Sequence, residues 1–213
     1  MSDPSEKNAD AYNAKAQDYD NTTEGRFTKR FRTLLAAEMG TFMPNVSTVL
    51  DVGCGNGALL KLLQDMKEGI KCHGIDVSDK MIETAASRYT NMDFRVAGYL
   101  NMPFSDSSMD AITVCAAYHH FADVDAFARE AGRVLRPRGR LFIAELYLPA
   151  LIKDMINPFL ALLKGTDYAF YSPREIRHNL KAHGFRNADV KISGYIQIIT
   201  AQNNVMRSFS RSV

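Results

Sequence analysis

The chain has 213 residues, 46% of them apolar and 23% charged, the proportions of an ordinary globular domain and a length suited to one α/β unit with accessory helices. A formal net charge of +2 is too small for a nucleic-acid footprint, which carries a basic stripe. Three scattered cysteines, Cys54, Cys72 and Cys115, lack the paired spacing of a zinc site or a redox dithiol, and reduced thiols in a cytosol account for them.

In chain order, the polar and acid-bearing stretch Met1 to Asp20 is no signal peptide. Residues 1–44 read as an N-terminal helical cap, with Ala11, Tyr12, Ala14 and Ala16, then Phe27, Phe31, Leu34 and Leu35 at helical spacing. Gly25 is the expected break between two helices, and Pro44-Asn45 a turn. Thr48–Val52 is a β-branched run ending in glycines, a buried strand. A helix over 58–66 follows, then a strand over 71–75 and a helix from its Ser78 cap to Tyr89. Strands at 92–96 and 111–115, a helix over 124–135 ended by Pro137, and a strand at 140–145 continue the alternation. A helix over 173–183 leads to strands at 188–192 and 195–200, joined tightly through Ser193-Gly194 as an antiparallel hairpin.

Strands alternating with helices predict a Rossmann-like, seven-stranded, mostly parallel sheet with one antiparallel hairpin strand and helices on both faces. The domain is expected over 45–202, with a polar tail over 203–213. Residues 1–44 and 146–172 stand outside the alternation and are both candidate lids; 146–172 reads as a lid insertion, with a core helix or an oligomer contact, hence a possible homodimer, as the alternatives. Their most apolar part, Tyr147 to Leu163, is interrupted by Lys153, Asp154 and Pro158. No membrane span is expected, and the protein is read as cytoplasmic.

The strongest local signal is Asp51-Val-Gly-Cys-Gly-Asn-Gly57 at a strand-to-helix junction. Glycines there permit positive φ and let a ligand approach the backbone, and amides at the helix start receive anionic groups. Asp76 lies 23 residues beyond Gly53, at the end of the next strand, where a carboxylate accepts both ribose hydroxyls. A helix N-cap is the structural alternative, although Ser78 and Asp79 already offer one. The turn is Gly-x-Gly-x-Gly preceded by an acid, and an acid that close repels a pyrophosphate. S-adenosylmethionine carries an ammonium and no phosphate, so the sequence favours it over a dinucleotide.

Val49-Leu-Asp-Val-Gly-Cys-Gly-Asn-Gly57 resembles the first motif of the class I S-adenosylmethionine-dependent methyltransferases. Gly74-Ile-Asp-Val-Ser-Asp-Lys-Met81 is similar to their next motif, Met102–Asp110 to their "LPF…FD" block, and Ala128–Pro137 to their "E…RVLKPGG" helix end. The leader Tyr12…Ala16…Tyr19-Asp20 looks like that of the small-molecule, type 11-like subgroup. The resemblance implies that Asp51 and the turn Gly53-Cys54-Gly55 line the methionine part of the cofactor, Asp76 the ribose, and Val77 and Met81 the adenine. It further implies that the backbone at Cys115-Ala116 faces the sulfonium and that Tyr19 closes over it. Two positions depart from the pattern. Gly98-Tyr99 stand where an Asp-Ala pair is usual, so either the backbone at Tyr99 and Leu100 serves the adenine or the Tyr99 ring stacks near it. Arg138 replaces a usual glycine.

Methyl transfer is governed by alignment, with a base where the acceptor needs one. Base candidates are His119 and His120, just past the fourth strand, where open α/β sheets place their chemistry. Adjacent residues diverge, so one is expected to face the pocket and one to pack; a turn or helix-start role is the structural alternative. No third ligand accompanies them for a metal. Glu145 and Tyr147 are weaker candidates for acceptor contacts. Arg30 and Arg32 could meet an acidic acceptor, although solvated helix faces explain them more simply. The expected partner is a small, partly hydrophobic acceptor, with no nucleic acid. Rival readings are a nucleic-acid or protein methyltransferase, a nicotinamide dehydrogenase, and a non-catalytic cofactor-binding protein.

Overall fold

The computed structural model describes residues 6–164 and 169–204. Its sheet runs in the order β3-β2-β1-β4-β5-β7-β6, built from β1 (Thr48–Val52), β2 (Lys71–Asp76), β3 (Asp93–Val96), β4 (Met109–Cys115), β5 (Leu135–Leu146), β6 (Phe185–Ser193) and β7 (Ile196–Asn203). The first five strands pair in parallel, and β7 runs antiparallel to both β5 and β6. The chain winds from β1 out to β3, then returns to lay β4 against the other side of β1. That reversal opens a crevice at the strands' carboxyl ends.

Strand alternation sorts the core into two layers. Leu50, Ile112 and Leu141 face one side, packed with Phe127 and Leu180 from α5 (Val124–Val134) and α7 (Pro173–Ala182). Val49, Ala111 and Phe142 face the other, packed with Leu35 and Leu60 from α2 (Thr23–Gly40) and α3 (Ala58–Met66). Leu59, Leu60 and Leu63 of α3 are all buried, each stabilising the fold by about 1.5–3 kcal/mol. α4 (Asp79–Arg88) is capped by Ser78, whose hydroxyl accepts from Met81 N, as its sequence predicts. α7 starts in a full capping box between Ser172 and Glu175.

Several boundaries differ from the sequence reading. Gly25 breaks no helix. The chain turns earlier, between α1 (Glu6–Asn13) and the Thr22 cap of α2, through a 3₁₀ segment over Ala16–Asn21. Gly25 sits in the first turn of α2 because a Cβ there would overlap the Tyr19 carbonyl oxygen. β5 begins at Leu135, directly after α5, and residues 136–139 bulge out between the Met109–Leu135 and Ala111–Arg140 pairs. Arg138 adopts φ +67° in that bulge, so the turn keeps a glycine-like conformation without the glycine. β6 starts earlier than expected, across a bulge where Asn187 has φ +51°, and the hairpin turn is Gly194-Tyr195. Asn203 belongs to β7 rather than the tail: it is buried, and its amide donates to the carbonyls of Gly132, Leu135 and Arg136. Residues 205–213 of the expected tail lie outside the described residues.

Candidate active site

Asp51, the fourth residue of β1, points to the α2–α3 side of the sheet and is 1% exposed. Parallel register sets it beside Thr113 of β4, whose hydroxyl donates to Asp51 Oδ1 at 2.7 Å. Burial raises the Asp51 carboxyl to about 7; Asp76 adds to the rise, while Thr113 and Arg32 oppose it.

Past β1 the chain turns through Gly53, Gly55 and Gly57, with φ of +74°, +52° and +79°. A Cβ on Gly53 would crowd the Ala117 methyl at 2.7 Å, whereas one on Gly55 meets nothing within 4 Å. Gly55 therefore borders open space, a place where backbone can meet a ligand. Its amide donates to Asp76 Oδ2 at 2.8 Å, and Ser78 N donates to Asp76 Oδ1 at 2.9 Å. These bonds fix the Asp76 carboxylate, and each oxygen keeps a further lone pair for a ligand. Burial shifts its pKa upward against the pull of those amides.

A cavity of about 120 Å³ lies over this floor. Of the residues expected there, it brings together Tyr19, Asp51, Gly53, Cys54, Gly55, Asp76, Val77, Met81, Tyr99, Cys115 and Ala116. Gly98 and Leu100 do not line it; Ala97 does, and Leu100 is 39% exposed. The Tyr99 ring stacks on Phe121 with centroids 4.2 Å apart, and its hydroxyl accepts from Asp123 N. Tyr99 therefore reaches the cavity, and Leu100 does not. Ala116, at the end of β4, holds φ +52°, a strained conformation for alanine of the kind found at functional sites. Cys54 and Cys115 are pushed well above the ordinary thiol range by burial, so neither is a reactive thiolate.

The cover of the cavity comes from the N-terminal segment, through Tyr12, Tyr19, Thr28 and Arg32. The described residues within 146–172 do not line it. It touches the site indirectly, where Ala169 N donates to the His119 carbonyl and Phe170 lies beside the His119 ring.

The two histidines diverge as expected. His119 is buried against Glu145, its backbone N–H and ring Nδ1 lying 3.2 and 2.9 Å from Glu145 Oε2. His120 lines the cavity, and its Nε2 shares a 3.0 Å hydrogen bond with the Tyr12 hydroxyl. Glu145 thus orients its histidine partner.

Sequence reasoning weighed Arg32 only against an acidic acceptor and favoured a solvated face, whereas it lines the cavity. Its side chain is 13% exposed and reaches Asp20 at 3.2 Å. Thr28 and Arg32 both face the cavity one helical turn apart, a signal present in the sequence but indistinguishable there from a solvated face. Asp20 was missed. It accepts from Asn56 Nδ2 at 2.8 Å and Arg88 Nη1 at 3.1 Å, tying the cap to both the glycine turn and α4. His73 pairs with Asp93 at 3.0 Å on the flank of the sheet.

Residues 50–143 match a family model described as "Methyltransferase domain". The chain is 30% identical over 165 residues to a demethylmenaquinone methyltransferase of Tropheryma whipplei, covering 67% of this chain and 68% of that one. It is 40% identical over 105 residues to the demethylmenaquinone methyltransferase of Thermotoga maritima, where the match spans 49% of this chain and 46% of the relative. Among solved structures, the fold resembles the YcgJ protein of Bacillus subtilis, with TM-score 0.67 and 19% identity over 81% of this chain and 99% of that one. It also resembles human N-acetylserotonin methyltransferase, with TM-score 0.71 and 19% identity over 90% and 56% of the two chains. The chain belongs to the class I S-adenosylmethionine-dependent methyltransferases.

Proposed function

We propose that the protein transfers a methyl group from S-adenosylmethionine to a small, partly hydrophobic acceptor. The observation that carries this is the charge pattern of the cavity: its lining carboxylates are Asp51 and Asp76 and its lining guanidinium is Arg32. S-adenosylmethionine bears a sulfonium, an ammonium and a carboxylate, so a net negative site with one cation complements it, whereas a dinucleotide pyrophosphate would be repelled. Asp51 would take the ammonium, Arg32 the carboxylate, and Asp76 the ribose hydroxyls. The space at Gly55 and the Tyr99–Phe121 stack suit the nucleoside.

When bound, the sulfonium supplies a methyl carbon to an in-line nucleophile, and the electron pair of the breaking C–S bond stays on sulfur as a neutral thioether. The residues of the chain contribute placement, an effect of about 7–11 kcal/mol for well-oriented reactants. His120 with Tyr12 takes the acceptor's proton where the nucleophile carries one, worth about 10²–10⁴-fold. Several relatives bear names of quinone-biosynthesis methyltransferases, and the apolar Ala116, Ala117 and Phe121 in the cavity wall support an aromatic acceptor of that kind.

The test is transfer of isotopically labelled methyl from S-adenosylmethionine to a panel of phenols, quinols, amines and thiols. The expected result is product from a hydroxylated or quinol-like acceptor, with His120→Ala lowering kcat by about 10²-fold while cofactor affinity holds. Cofactor uptake without transfer to any small molecule would point to the binding-protein reading. Transfer unaffected by His120→Ala would leave that histidine a structural role.

A further inference from the structure

Over residues 150–158, α6 (Ala150–Lys164) carries its polarity reversed. Lys153 turns inward, its side chain 9% exposed, and pairs with Glu175 at 2.6 Å and Asp154 at 3.1 Å. Leu151, Met155 and Ile152 turn outward, 87%, 63% and 42% exposed, and Pro149 and Ala150 beside them are exposed too. A helix facing water does the opposite, and a contiguous apolar patch of this kind marks a contact surface.

The patch runs into a basic face. A shallow groove lined by Leu148, Ala150 and Ile192 is also lined by Arg174 and Arg177 of α7. Arg174, Arg177, His178 and Lys181 are all exposed along that helix, at the spacing of a single stripe. Of the nearby acids, Glu175 holds Lys153 and caps α7, Asp154 also pairs with Lys153 and Asp125 accepts from Asn179, while Asp189 borders the far side of α7. These α6 and α7 residues do not line the cofactor cavity, so the surface is independent of the site already described and of the acceptor's identity.

We propose that this face docks on an anionic lipid bilayer. Aliphatic side chains ringed by arginine and lysine are what an interfacial helix presents, the apolar group entering the acyl boundary and the cations meeting lipid phosphates. A second copy on the same face would bring like cations together in a two-fold contact, and nucleic acid would leave the aliphatic residues unused. No helix among the described residues is long and apolar enough to cross a membrane, so the association is peripheral and reversible.

The experiment is flotation of the full chain with phosphatidylcholine vesicles containing phosphatidylglycerol, against vesicles of phosphatidylcholine alone. The protein floats with the anionic vesicles, and raising the salt releases it. The pair Leu151→Glu and Met155→Glu, and separately Arg174→Glu with Arg177→Glu, each lower the bound fraction about tenfold or more. The milder Leu151→Ser lowers it less, and all variants keep the parent's melting temperature and cofactor affinity. Failure to float, equal binding to neutral vesicles, or binding untouched by both pairs of changes overturns the proposal. So does a solution dimer that Leu151→Glu disperses, which would give the face to a second copy.

Discussion

Burial lifts the Asp51 carboxyl to about 7 from an ordinary 3.8, so near neutrality it binds a proton that the unfolded chain has released. Its raised value makes folding stability fall as pH climbs from about 3.8 through about 7. An ammonium placed against Asp51 favours the ionised form, so cofactor affinity should rise with pH up to about 7 and then level. In Asp51→Asn that dependence should vanish, and affinity should drop at every pH; calorimetric titration across the range measures both. A slope that persists in the asparagine variant would assign the proton elsewhere. Asp76→Ala strands the Gly55 and Ser78 amides that the carboxylate now satisfies, and should weaken the cofactor by at least ~1–3 kcal/mol. Both acids were legible in the sequence because each sits on a short motif whose strand fixes its direction. Arg32 was not, because only the fold shows which face of α2 turns over the cavity.

Of the two segments the sequence offered as lids, 1–44 and 146–172, the first supplies the 3₁₀ segment and α2 that line the cavity. Apolar composition marked both segments alike, because composition does not say which strand ends a segment crosses. Asp20 holds the true cover down through Arg32, Asn56 and Arg88. Half-exposed ion pairs contribute little alone, about 0–1 kcal/mol, whereas the Asn56 bond anchors a residue of the glycine turn that is 2% exposed. Asp20→Ala should therefore speed cofactor release several-fold and change melting only slightly, as stopped-flow displacement and a thermal scan would show. Unchanged release would mean the cover is held by its ring packing. Gly25→Ala tests the same element from the other side. The added methyl meets the Tyr19 carbonyl, and overpacking of that kind costs about 1–3 kcal/mol, read as a lowered melting temperature with weaker cofactor binding. The sequence supplied the glycine but not its reason, since a helix break and a close approach both select that residue.

Across the whole molecule, strands alternating with helices pointed to the parallel sheet, and the tight connection read at Ser193-Gly194 pointed to the reversed strand, one residue before the Gly194-Tyr195 turn that forms. Strand order came only with the structure, because pairing between β1 and β4 joins residues about sixty positions apart, and no local pattern encodes that. That order is what sets Asp51 against Thr113 and brings the ends of β1, β2 and β4 to one crevice. The cavity then gathers two carboxylates and one guanidinium around open space at Gly55. Its charge is the feature on which the functional account rests. The direct test is isothermal calorimetry of the purified chain near neutral pH with S-adenosylmethionine, S-adenosylhomocysteine and NAD in turn. The account predicts one-site binding of the first two, weakened by Arg32→Ala and by Asp76→Ala, and no heat from NAD. Binding of NAD with no response to either adenosyl compound would contradict it.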